Sequence, residues 1–87
     1  MAIIVELTYD MGKALGTRRF EVEGAATVAD IVRHTKARFG EQAGEFERLT
    51  RVAAVSVNGV LVTHGRGLRT AVADGDRVMF VKASAGG

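Results

Sequence analysis

The chain ends Phe80-Val81-Lys82-Ala83-Ser84-Ala85-Gly86-Gly87, and its most suggestive chemistry lies there. A strand-like run passes into small residues and stops on two glycines. Glycine loses more conformational freedom on ordering than any other residue, so such a pair does little for stability. It suits a thin, extended tail whose terminal carboxylate can be threaded into another protein's narrow active site. An α-carboxyl group titrates near pH ~3.5, so at neutral pH it is ionised and can attack an activated phosphate. The competing reading is a chain end of small residues with no task.

Other candidates for chemistry are weaker. The chain has no cysteine, which excludes disulfides, thiolate metal sites and a cysteine nucleophile. His34 has no second ligand at i+4, and His64 falls in the turn His64-Gly65-Arg66-Gly67, so neither has the paired spacing of a metal site. That turn lacks the glycine pattern of a phosphate loop, and no helix follows it. Arg66, Arg69, Arg77 and Lys82 place positive charge near the tail, which suits either steering onto an acidic partner or a solvated face. Acidic residues are interspersed among the basic ones and the net charge is only +2, so there is no stripe for nucleic acid. No apolar run is long enough to cross a membrane, and Met1-Ala2-Ile3-Ile4-Val5-Glu6 lacks the basic start of a secretion signal. The expectation is a cytoplasmic protein that binds neither nucleic acid nor membrane and holds no metal or cofactor of its own.

Something must present that tail. Eighty-seven residues, 47% of them hydrophobic, make one domain with a modest core. Ile3 to Tyr9 alternates as a strand, and Thr17 to Glu23 alternates again with Phe20 and Val22 on one face. The stretch from Asp10 to Gly16, punctuated by glycines, reads as the turn of an antiparallel hairpin. Thr27 stands as an N-cap with Asp30 three residues on. Val28, Ile31, Val32, Thr35 and Phe39 then follow at helical spacing, and Gly40 closes the helix. Glu41 to Arg51 reads as a loop or short helical turn pinned by Phe46 and Leu49. Val52–Val57, the turn Asn58-Gly59 and Val60-Leu61-Val62 form a hairpin. Leu68 and Val72 are isolated anchors, and Asp74-Gly75-Asp76 leads into a last strand from Arg77 to Val81. One helix, about 27–39, covers only one face of a sheet of about five strands. The fold class is therefore α+β, a mixed sheet grasping a helix as in the ubiquitin-like β-grasp. Residues 1–82 would be the domain and 83–87 a flexible tail.

Four stretches in this order resemble a known family: Thr27-Val28-Ala29-Asp30, Val57-Asn58-Gly59, Ala73-Asp74-Gly75-Asp76-Arg77-Val78 and the final Gly86-Gly87. They are similar to the ubiquitin-like sulfur carriers. That group includes the small subunit of molybdopterin synthase, the thiamine-pathway carrier and the actinobacterial carrier for cysteine biosynthesis. The chain lacks the prolines that precede the tail in the molybdopterin-synthase subunit, and its Gly67–Ala73 approach looks more like the cysteine-pathway carrier.

The resemblance implies that the Gly87 carboxylate is adenylated by an E1-like partner using ATP, then converted to a thiocarboxylate that a synthase partner consumes. The carrier would be a co-substrate and not an enzyme. Gly86 would be the element recognised in the partner's channel, with Ser84 and Ala85 keeping the tail thin. Phe80, Leu61 and Val60 are candidates for an apolar docking patch on the sheet's open face. Simple burial in the core is the alternative, and the stronger one for Phe80. Two rivals use the same sequence: a ubiquitin-like modifier joined to proteins through the same terminus, and an interaction domain with an inert tail.

Overall fold

Five strands form one mixed sheet in the order β2-β1-β5-β3-β4, in a computed structural model that describes residues 2–62 and 66–83. The strands are β1 (Ile3–Glu6), β2 (Arg19–Val22), β3 (Ala53–Val57), β4 (Val60–Val62) and β5 (Arg77–Lys82). β1 and β5 run parallel at the centre, and the other neighbours are antiparallel. The helices are α1 (Tyr9–Leu15), α2 (Val28–Phe39) and α3 (Ala43–Thr50). The expected β-grasp is present, with α2 as the helix held by the sheet.

α2 forms where the pattern placed it. The Asp30 amide donates to Thr27 Oγ1 (3.3 Å) and the Thr27 amide to Asp30 Oδ2 (3.1 Å), which completes the capping box despite the short acidic side chain. Val28, Ile31, Thr35 and Phe39 are buried on one stripe. The Thr35 hydroxyl donates to the Ile31 carbonyl at 2.8 Å, so the one polar member of the stripe is satisfied. Gly40 ends the helix and opens a 3₁₀ turn, Gly40–Gln42.

Two segments differ from the sequence expectation. The stretch after β1 is a helix, not a hairpin turn, and the strand stops at Glu6 instead of reaching Tyr9. Thr8 Oγ1 accepts the Met11 amide at 3.1 Å, Asp10 sits in the first turn, and Gly16 at φ 90° ends the helix in the left-handed region. Only Gly16 punctuates; Gly12 lies within the helix. The second is α3, a full helix where a loop or single turn was expected. Phe46 and Leu49 do anchor it, both buried, and Thr50 Oγ1 donates to the Phe46 carbonyl at 2.7 Å. Charged pairs across the exposed surface, Glu45 with Arg48 and Lys36 of α2 with Glu47, gave the segment a loop-like composition.

The core lies between the sheet and the helices. Phe46 joins α3 to both neighbours, 5.1 Å from the Phe39 ring centroid and 6.0 Å, edge-on, from Phe80 of β5. Val72 is a buried anchor as expected, whereas Leu68 is 43% exposed and anchors little.

Candidate functional site

The tail leaves the domain at the end of β5, so the site begins with what fixes that strand. Asn58 adopts φ 50° in the β3–β4 turn. From there its Oδ1 accepts the Arg77 amide (2.9 Å) and its Nδ2 donates to Asp76 Oδ1 (3.0 Å). Asp76 Oδ2 accepts the Ala73 amide at 2.8 Å, and the Asn58 amide donates to the Arg77 carbonyl at 2.8 Å. The Val57-Asn58-Gly59 and Ala73–Val78 motifs are thus one clasp that sets the start of β5. At its far end Lys82 lies opposite Ala53, and the Ala83 amide donates to the Val52 carbonyl at 2.8 Å. The described backbone is held through Ala83. Ser84, Ala85, Gly86 and Gly87 lie outside the described residues, as do His64 and the side chain of Arg66.

The clasp and the helix cap have a shared acid dependence. Asp76 is held below its ordinary 3.8 by the Asn58 amide group and then the Ala73 N–H. Asp30 is lowered to about 2 by the Ala26 N–H (2.9 Å), then by Arg33 and the Thr27 N–H. A carboxylate with a depressed folded-state value stabilises the fold fully above its ordinary value, and that contribution is lost as pH falls toward the folded value. The contribution of these two carboxylates to the melting temperature is therefore expected to be level above about pH 5 and to be lost as pH falls below 3.8, toward about 2 for Asp30. Asp76→Asn and Asp30→Asn together should flatten that drop in a thermal melt series.

Strand register sorts the docking candidates. Phe80 lies opposite Val55 on the helix side and is 2% exposed, so it belongs to the core. Val60 pairs with Val57 and Leu61 with Ser56, which puts the two residues on opposite faces. Of the three candidates only Leu61 is on the open face, 65% exposed, while Val60 is 68% exposed on the other. Its row continues through Ser56 to Met79, with Ala54 and Val81 in the adjacent pair. Ile4 lies on the same face opposite Arg77, and Arg77 Nε pairs with Glu6 Oε2 at 3.0 Å. Met79, Val81 and Ile4 are thus the open-face residues that the reading for function missed. The alternation from Arg77 to Val81 carried the signal, because whatever shares a face with Val78 and Phe80 is core and the remainder is surface.

Arg69 and Arg77 remain exposed. His34 is exposed on α2, and among the described residues no cluster of His, Asp and Glu could hold a metal ion. No described helix is long and apolar enough to cross a membrane.

Comparison with known proteins places this geometry. A chain of the Amycolatopsis orientalis BexX/CysO complex is 30% identical and superposes with TM-score 0.77, covering 99% of this chain and 100% of that one. Mycobacterium tuberculosis CysO is 24% identical (TM-score 0.75, 94% and 99% covered). Haloferax volcanii small archaeal modifier protein 1 is 20% identical (TM-score 0.73, 95% and 98% covered). The last two likenesses are of fold. Among curated proteins none matches the sequence. The model of the ThiS family matches residues 10–87, from the first turn of α1 through the diglycine. The chain therefore belongs to the ThiS family of ubiquitin-fold sulfur carriers.

Proposed function

We propose that the protein carries sulfur as a thiocarboxylate on Gly87. The Gly87 carboxylate attacks the α-phosphate of ATP held by an adenylating partner, and pyrophosphate leaves. A sulfur nucleophile then adds to the acyl-adenylate carbonyl and AMP departs, leaving the terminal thiocarboxylate and a released proton. The partner brings ATP and the donor brings sulfur, so the carrier needs no acid, base or metal of its own. Its contribution is delivery. The clasp fixes β5, β5 fixes the exit point at Ala83, and four further residues can extend at most about 14 Å into a channel. The observation that carries this reading is the family match running through Gly86 and Gly87.

The sulfur acceptor is proposed to be a synthase that docks on the open face around Leu61, Met79 and Val81. A docked partner subunit has support in the relative at 30% identity, which comes from a complex of CysO with BexX. The test is intact-mass spectrometry after incubation with the adenylating enzyme of the same organism, ATP and sulfide. The carrier should gain the mass difference between one sulfur and one oxygen. An unchanged mass, or accumulation only of higher-mass protein conjugates that depend on Gly87, would overturn the reading in favour of an inert domain or a modifier respectively.

A further inference from the structure

Gly12 sits inside α1, where alanine would make the better helix. What the missing Cβ leaves room for is Arg18. A Cβ on Gly12 would collide with Arg18 Cγ and stand 3.2 Å from its Cβ and Cδ. The arginine stem therefore lies across the helix, and its guanidinium carbon comes 6.0 Å from the ring centroid of Tyr9. Tyr9 is a large aromatic at the head of α1 that is 64% exposed.

Arg18 and Tyr9 line one cleft of about 400 Å³, together with Thr8, Val81 and Lys82. The last two are the final residues of β5, so the cleft stands at the root of the tail. Of its acidic members Glu6 pairs with Arg77, while Asp10 is in none of the ion pairs among the described residues and lies beside Arg18 and Lys82 in the lining. The ion pairs among the described residues include neither Arg18 nor Lys82. A seated guanidinium, an ammonium and an aromatic ring with an apolar wall at Val81 are what receives a carboxylate side chain.

We propose that Arg18, seated by Gly12 and Tyr9, is a specificity-determining contact that takes an acidic side chain of the adenylating partner. It thereby sets the direction in which the tail enters that enzyme. This rests on the carrier reading above. The nucleotide's phosphates are a poorer occupant, because Gly87 must reach the α-phosphate from the far end of a tail extending up to about 14 Å from Ala83. A docking carboxylate at the root and a phosphate at the tip can be engaged together.

The experiment measures pyrophosphate release by the adenylating enzyme of the same organism, with the carrier as the varied substrate. Arg18→Ala is expected to raise KM for the carrier about tenfold or more and Arg18→Glu further, with kcat at saturating carrier unchanged. Arg18→Lys keeps the charge without the fork and recovers only part of the loss. Gly12→Ala displaces the arginine without touching charge and should reproduce part of the KM increase, with circular dichroism confirming the fold. Added salt should raise the wild-type KM more than that of Arg18→Ala. An unchanged KM in Arg18→Ala, or a fall in kcat alone, overturns the proposal. So does a shift in the terminal carboxylate's titration on Arg18→Ala in the isolated carrier, which would make the tail itself the occupant. A wild-type chain that releases no pyrophosphate at all would instead sink the carrier reading, and this contact with it.

Discussion

Replacing Gly86 with leucine is expected to slow thiocarboxylate formation on the order of 100-fold while leaving the melting temperature unchanged. The two halves of that result have separate physical causes. The residue lies beyond Ala83, whose N–H donates to the Val52 carbonyl in the last described backbone tie to the domain, and it is not among the residues of the described core. The rate depends on the tip of the tail placing one carboxylate oxygen in line with a phosphorus atom in another protein's channel. A Cβ and the branched carbons beyond it next to the reacting group displace that oxygen by an ångström or more, and such a displacement suffices for this loss. Gly87→Ala moves the bulk onto the reacting residue and should be at least as severe. Ser84→Ala, further from the chemistry, should be nearly silent. The readout is the rate of sulfur-for-oxygen exchange by intact mass at saturating partner and ATP. If leucine at 86 reacts as fast as glycine, the tail is not threaded and its thinness is incidental.

The elements that were legible in the sequence are those whose signals are local and unmixed. Thr27 and Asp30 announce α2 because the capping box is a short-range exchange of hydrogen bonds, and it formed as written. Asn58-Gly59 announced a hairpin because few residues tolerate the positive φ at both positions. α1 was hidden by having two glycines for different purposes in one heptad: Gly16 ends the helix, and Gly12 makes room for a side chain that arrives later in the chain. No periodicity count separates those uses, because the second depends on a tertiary contact. α3 was hidden by its brevity, with Phe46 and Leu49 as its only buried anchors among charged neighbours. The docking surface was half legible. Alternation along β5 sorts its two faces, but which face the helices cover follows from the parallel pairing of β1 with β5, and Val60 and Leu61 are parted only by their register with β3.

Phe80→Ala and Leu61→Ala, two apolar truncations on adjacent parts of the same sheet, should have opposite phenotypes. Phe80 packs edge-on to Phe46, which in turn meets Phe39, so its ring ties β5 to α3 and α2 together. Removing it leaves a cavity and should cost about 3–5 kcal/mol, a large share of the roughly 5–15 kcal/mol typical of a folded domain. For a chain of this size that is a fall of at least about 12 °C in melting temperature, at roughly 4 °C per kcal/mol. Once refolded at low temperature, its affinity for the synthase partner should be near normal, because the open face does not contain Phe80. Leu61 is exposed and opposite Ser56, so its truncation should change stability by no more than about 0.5 kcal/mol. It should weaken partner binding about tenfold in a calorimetric titration. Met79→Ala, next in the same row, should share the binding defect with a slightly larger loss of stability, being half-buried. If Leu61→Ala and Met79→Ala bind normally while Phe80→Ala does not, the partner approaches from the helix side, and the open face is merely the uncovered side of the sheet.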